Sequence, residues 1–413
     1  TEKILCKNCG KESVENGEII IAKVDRAMSH DNAALVSKHF KGIGVDKVWN
    51  SDHIVIILDH RAPANNIKTA EGHRTIRNFV RQQNISNFYD IKAGICHQVM
   101  PELGHVAPGM LIAGTDSHTT TYGALGAFST GIGATEMAGV WATGELWLKV
   151  PEVFKINVNG TLPPGVYPKD VILKIIGHMG ADGANYAGVE YFGNTIDAMS
   201  VGERMTMSNM SMEMGAKSAI IPPDEKVRDY LSQRFTKNYQ NVHPDTDAVY
   251  RKELHFDVSD LEPQIACPHS VDNVRPIAEI LGTPIDQAVL GSCTNGRLED
   301  LEVAAKILDQ KRVHDRVRLI VAPASQEVLL DAIRAGHIET FIKAGGVVIN
   351  SGCGPCLGAH QGILAEGERA IATTNRNFKG RMGSPDSEVY LASPAVVACS
   401  AIKGEIADPR EVA

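Results

Sequence analysis

Three cysteines sit in two glycine-rich loops far apart in the chain. One loop reads Gly291-Ser292-Cys293-Thr294-Asn295-Gly296-Arg297, and the other reads Asn350-Ser351-Gly352-Cys353-Gly354-Pro355-Cys356-Leu357-Gly358. A glycine next to, or two residues from, each cysteine lets the backbone turn tightly around something bulky. Three thiolates suit a soft metal centre. A structural zinc site needs four ligands and is closed. An iron–sulfur cube normally takes four cysteines, and a cube with three leaves one iron open as a Lewis acid. The same residues are also compatible with a disulfide, with inert buried thiols, or with zinc completed by a histidine.

Acids beside histidines are the second chemical signal. Asp59-His60 closes the apolar run Ile54–Leu58, and Asp116-Ser117-His118 follows Met110–Gly114. Cys96-His97 follows another strand-like stretch, giving three expected histidine-bearing strand ends. A histidine held by a carboxylate can give or take a proton near neutral pH. Arg376 and Arg381 flank a loop containing Gly380. Arginine binds carboxylates through two parallel hydrogen bonds and stays charged, so the pair suits a carboxylate clamp. Asn209 and Glu213 are four apart, which puts them on one helical face. His30 lies in the polar stretch Asp25–Asn32, read as a loop opening the helix Ala33–His39. On residue type alone, a structural histidine or a solvated basic turn also fits these positions.

GSCTNGR followed by GCGPCLG resembles the aconitase superfamily, and the resemblance covers essentially the whole chain. The length is similar to that of the large subunits of its split members, the isopropylmalate dehydratases and archaeal-type homoaconitases. One departure is Ser351, where many relatives carry proline, and it is not a ligand position. The resemblance implies an α/β fold of three αβα domains around a central iron–sulfur cluster cleft, lacking the swivel domain. It implies a [4Fe-4S] cluster with Cys293, Cys353 and Cys356 as ligands and one open iron. It implies Asp59–His60 as the pair that protonates a leaving hydroxyl, His97 paired with Asp116, and His118 paired with Glu213. His30, Ser117, Asn209, Arg376 and Arg381 match substrate- or cluster-side positions. The implied activity is reversible dehydration of a small hydroxy-carboxylate. Isomerisation of 2- and 3-isopropylmalate in leucine biosynthesis is favoured, with homocitrate/homoaconitate hydration or dimethylmalate dehydration as alternatives. Full-length relatives draw a serine base and an arginine from the swivel domain. A sequence ending at Ala413 is therefore expected to need a small, swivel-domain subunit.

These residues require strands to carry them. Ala288–Leu290 and Val347–Ile349 are apolar, β-branched runs that read as buried strands. Both cysteine loops would then leave C-terminal strand ends, where open α/β sheets place ligands. From Pro268 onward strands and helices alternate: a strand to Cys293, helix Leu298–Gln310, strand Val317–Ala322, helix Gln326–Ala335, a strand to Cys353, a helix from Ala359, strand Ala370–Thr373 and a helix from Pro394. That order implies a parallel sheet. Domain boundaries are expected at residues 1–152, 153–265 and 266–413. Cys6-Lys7-Asn8-Cys9 lacks a second pair of the zinc-ribbon kind and reads as a terminal helix and turn. Glycines 123–133 lack the spacing of a dinucleotide fingerprint. The methionines between Met205 and Met214 read as core.

The chain has 413 residues, 43% hydrophobic and 22% charged, which is ordinary for a globular protein. A net charge of −8 argues against a nucleic-acid footprint, and so against the RNA-binding role of some cluster-free aconitase relatives. No apolar run reaches about 18 residues, so no membrane span is expected. Thr1–Leu5 has no signal core, and thiolate use of several of the eight cysteines fits a reducing compartment, so a cytoplasmic location is expected.

Overall fold

The structure, a computed structural model, describes residues 1–411. Its first large sheet is parallel and five-stranded, ordered Phe88–Tyr89, Ile54–Ile57, Arg26–Ser29, Leu111–Gly114, Phe128–Gly131. Every residue of Ile54–Ile57 is fully buried, as an unbroken β-branched run in a two-sided parallel sheet must be. From Arg26–Ser29 the chain winds outward to Phe88–Tyr89, then returns to the other flank with Leu111–Gly114. The gap between Arg26–Ser29 and Leu111–Gly114 is thus a topological switch point, the usual ligand crevice of such sheets.

A second parallel sheet is ordered Ser218–Ile220, Gly188–Phe192, Val153–Asn159, Lys252–Asp257. A third has seven strands: Val274–Pro276, Gln264–Ala266, Glu388–Leu391, Arg369–Ala372, Gln287–Gly291, Arg318–Ala322 and Val347–Val348. Its first pairings are antiparallel and the rest parallel. Its switch point lies between Gln287–Gly291 and Arg369–Ala372, so Cys293 and the segment from Thr373 to Arg376 emerge side by side. Main-chain bonds tie the third sheet's loops to the first: Ile95 N to Ala324 O at 2.9 Å and Cys353 N to Asp59 O at 3.0 Å. Among the described residues no helix is long and apolar enough to cross a membrane.

Several expectations need correction. The stretch Asp25–Asn32 is not a loop throughout, because Arg26–Ser29 is the central strand of the first sheet. Its polar ends hid it: Arg26 and Ser29 are both buried. His97 does not end a strand but lies in the first turn of the helix Cys96–Glu102. Asn209 lies in the last turn of the helix Val201–Met210, while Glu213 lies on the 3-10 turn Ser211–Met214. No helix starts at Ala359; the cysteine loop makes one helical turn, Gly354–Leu357, and left-handed backbone at Gly358, Gln361 and Gly362 prevents continuation. Glu388–Leu391 is a strand beyond the one read as last, and His337–Ala344 adds a helix after Gly336.

Candidate active site

Asp59 and His60 leave the strand Ile54–Ile57 in a turn shaped by Asp31. That carboxylate accepts the backbone N–H of Asp59 at 3.0 Å, of His60 at 2.8 Å and of Arg61 at 3.2 Å, and faces His73 Nε2 at 2.9 Å. Burial would raise Asp31, but the His73 bond and the nearby His60 and His30 hold it well below the carboxylate range. Sequence reasoning missed both Asp31 and His73. A carboxylate that serves backbone amides has no spacing signature, although its place beside His30 was a hint.

The turn presents His60 between two acids. Asp59 Oδ1 lies 2.6 Å from Nδ1, and Asp116 Oδ2 lies 3.3 Å from Nε2. The other Asp59 oxygen accepts the Cys96 N–H at 2.7 Å. Burial would lower His60, but negative charge at Cys353, Asp59 and Asp116 raises it well above the ordinary histidine range. His30 stacks on the His60 ring at 3.9 Å and donates through Nε2 to the Thr115 carbonyl at 3.1 Å.

Asp116 stands at the end of the strand Leu111–Gly114 and gathers three histidines. Its Oδ1 lies 2.7 Å from His97 Nε2 and accepts the His118 N–H at 2.8 Å. Burial pushes Asp116 up, but bonds from His118, His60 and His97 outweigh it and hold it well down. His118 Nε2 meets Glu213 Oε1 at 2.7 Å, and Arg376 Nε donates to both Glu213 oxygens at 2.8 and 3.1 Å. Burial opposes the charge on Glu213, yet His118 and Arg376 keep it ionised. Ser117 Oγ sits 3.5 Å from His118 Nδ1.

The cysteine loops form the facing wall. Gly291 has φ 140°, and a Cβ there would run into the Ala322 carbonyl, so the strand can enter this turn only as glycine. Arg297, buried behind the loop, donates to the carbonyls of Cys293 at 2.6 Å and Thr294 at 2.8 Å. Asn209 Nδ2 lies 3.4 Å from Cys293 Sγ. Asn375 bridges two cysteines: its Nδ2 is 3.6 Å from Cys293 Sγ and its Oδ1 3.5 Å from Cys356 Sγ. Asn375 was not singled out from the sequence, although it adjoins Arg376 in the same strand-end segment. Arg381 Nη2 is 3.7 Å from Cys356 Sγ, and Cys353 Sγ is 3.9 Å from Asp59 Oδ2.

All eight cysteines are free thiols, so no disulfide joins them. Burial pushes Cys293 up to about 12 and Cys353 well above the ordinary thiol range. Thiols so placed ionise only when positive charge is set beside them. The donor set fits a cluster better than one ion. A single zinc with Zn–S of about 2.3 Å holds its sulfurs about 3.8 Å apart. Cys293, Cys353 and Cys356 do not gather within 4.8 Å of one another; among the described residues only His30, Asp31, Asp59 and His60 do. Asp31 in that group is already occupied by three backbone amides and His73.

The aconitase (aconitate hydratase) family model matches residues 2–404. The chain belongs to the aconitase family. Its mixed α/β architecture is the aconitase-family fold, and that family implies an iron–sulfur cluster. Among curated relatives, a 3-isopropylmalate dehydratase large subunit of Methanopyrus kandleri is 53% identical over 410 residues, covering 99% of this chain and 98% of its own. A probable methanogen homoaconitase large subunit of Methanothermobacter thermautotrophicus is 54% identical over 418 residues, covering 100% and 98%. A 3-isopropylmalate dehydratase large subunit of Moorella thermoacetica is 51% identical over 414 residues, covering 100% and 98%.

Proposed function

We propose that this chain is the cluster-bearing large subunit of a hydro-lyase that interconverts 2- and 3-isopropylmalate by dehydration and rehydration in leucine biosynthesis. One observation carries the reading: the Cys353 loop is bonded to the Asp59–His60 turn, so a metal-binding thiol and a proton-transferring histidine share one wall. The dehydratase relatives, at 51–53% identity over nearly full length, supply the substrate.

Cys293, Cys353 and Cys356 would hold a [4Fe-4S] cluster, whose open iron supplies Lewis acidity toward a substrate hydroxyl and carboxylate. The rest belongs to the chain's own side chains. Asp59 fixes the His60 ring through Nδ1, and the proton that His60 transfers sits on Nε2, 3.3 Å from Asp116 Oδ2. An elevated proton affinity makes His60 an acid for the departing hydroxyl, which leaves as water, and the same atom takes the proton back on rehydration. Asp116 with His97, and Glu213 with His118, hold two further rings in fixed orientation. Arg376 spends only its Nε on Glu213, which leaves its terminal nitrogens, with Arg381, to bind substrate carboxylates, while His30 stacks on the His60 ring beside them. Asn209, Asn375 and Ser117 line the same space.

The relatives are large subunits and this chain spans 98% of their length, so we assign it a small-subunit partner that completes the site with the base for the carbon-bound proton. We read three domains, each built on one of the three larger sheets; the pairing of Gln264–Ala266 into the third supports a second break just before Gln264. Free thiols suit a reducing setting, and we place the enzyme in the cytoplasm. The homoaconitase relative at 54% identity favours a second reading, homocitrate/homoaconitate hydration by the same site. Comparing kcat/KM for 3-isopropylmalate and homocitrate, with each candidate small subunit, tests the choice. Preference for isopropylmalate supports the first reading, and preference for homocitrate replaces it with the second.

A further inference from the structure

Lys169 lies in the first turn of the helix Pro168–Met179 and is wholly buried. A buried ammonium is expensive unless it is paired. Yet among the described residues no carboxylate oxygen comes within 4.0 Å of it to form an ion pair. The adjacent Asp170 faces elsewhere, accepting the backbone N–H of Tyr167 and of Gln264, each at 2.8 Å. Lys169 Nζ instead donates to two main-chain carbonyls of the third sheet, Thr373 at 3.0 Å and Thr374 at 2.6 Å.

Those carbonyls belong to the switch point. Thr373 Oγ1 accepts the Gly291 N–H and donates to the Gly291 carbonyl, both at 2.9 Å, which ties this strand end to the one that releases Cys293. The next two residues are Asn375, between Cys293 and Cys356, and Arg376, on Glu213. Burial pulls the ammonium down to about 7, opposed by negative charge placed first at Cys356, then at Asp300 and Cys293.

We propose that Lys169 is a positioning residue of the active site: it clamps the Thr373 and Thr374 carbonyls so that Asn375 and Arg376 face the cysteines and Glu213, and its positive charge offsets that of the cluster thiolates. This rests on the cluster-bearing reading above. Lys169 touches neither substrate nor sulfur, so its influence passes through the strand end and through its field.

The test compares wild type with Lys169→Met and Lys169→Arg after anaerobic reconstitution with iron and sulfide, each with the small subunit. Three signals are read: turnover, the electron paramagnetic resonance of the reduced cluster, and the cluster's reduction potential. Removing a buried cation makes electron uptake harder. Lys169→Met should therefore shift the potential to more negative values, change the resonance, and lower kcat by about 10–100-fold, the usual range for residues supporting a metal site. Lys169→Arg should keep the potential near wild type. Unchanged potential, resonance and kcat in Lys169→Met overturn the proposal. Should Lys169→Met fail to fold, Lys169→Gln, which keeps an N–H donor, is read by the same signals. If neither neutral variant folds, the residue is purely structural and the proposal fails. Wild type that forms no cluster fails the functional reading itself and takes this inference with it, and that is known before any variant is made.

Discussion

Asp59 and Asp116 grip His60 at both ring nitrogens, and the Cys353 thiol faces the same turn. Replacing His60 with Gln removes the proton donor and leaves the cysteines in place. It should lower kcat by about 10²–10⁴-fold while the cluster's visible absorbance persists. Loss of the absorbance together with turnover would show that His60 serves the metal site instead. Cys353→Ser should abolish cluster retention, read as bound iron after desalting, whereas Cys267→Ser, away from the site, should retain it. Equal iron in both variants would remove Cys353 from the ligand set. At this scale the sequence was most informative where a residue type has few uses. Three cysteines among glycines, histidines beside acids, and paired arginines could be found by type. Asn375 and Asp31 could not, because an amide beside sulfur and a carboxylate beneath a turn look like any other polar loop residue.

The elements matter through their ends. Cys293 is reached only through Gly291 and Ser292, both at positive φ, 140° and 79°. Gly291→Ala adds a Cβ against the Ala322 carbonyl in backbone that favours glycine. It should destabilise the apo chain by about 1–3 kcal/mol in urea denaturation, a typical magnitude for such strain. An unchanged midpoint would mean that the turn relaxes without strain. Apolar runs revealed the strands Ile54–Ile57 and Gln287–Gly291, because burial on both faces demands continuous hydrophobicity. The same rule concealed Arg26–Ser29, where a buried arginine and serine broke the run. His97 was assigned to a strand end because its flanks are apolar; the strand before it, Phe88–Tyr89, has only two residues, and the chain goes on into a helix.

Over the whole molecule, acid stability should carry the mark of His105. This residue is buried, and its Nε2 is hydrogen-bonded to Tyr89 Oη at 2.6 Å. Burial, with some help from Arg26, lowers it to about 4. The unfolded chain takes up that proton near the ordinary value, while the folded chain refuses it. The resulting stability is therefore fully present above about 6.5, is lost as pH falls toward about 4, and amounts to about 3 kcal/mol. His105→Phe should flatten this part of the pH dependence in urea denaturation, and an unaltered slope would show that His105 titrates normally. Two sheet switch points, one bearing acid-held histidines and the other cysteines, are tied together by main-chain hydrogen bonds. That joining can be tested directly. The chain is reconstituted anaerobically with iron and sulfide, combined with the small subunit, and supplied with 3-isopropylmalate while ultraviolet absorbance follows the unsaturated product. Product that forms with the small subunit and disappears in the Cys353→Ser variant is the result expected. A fully formed cluster that dehydrates neither isopropylmalate nor homocitrate would contradict it.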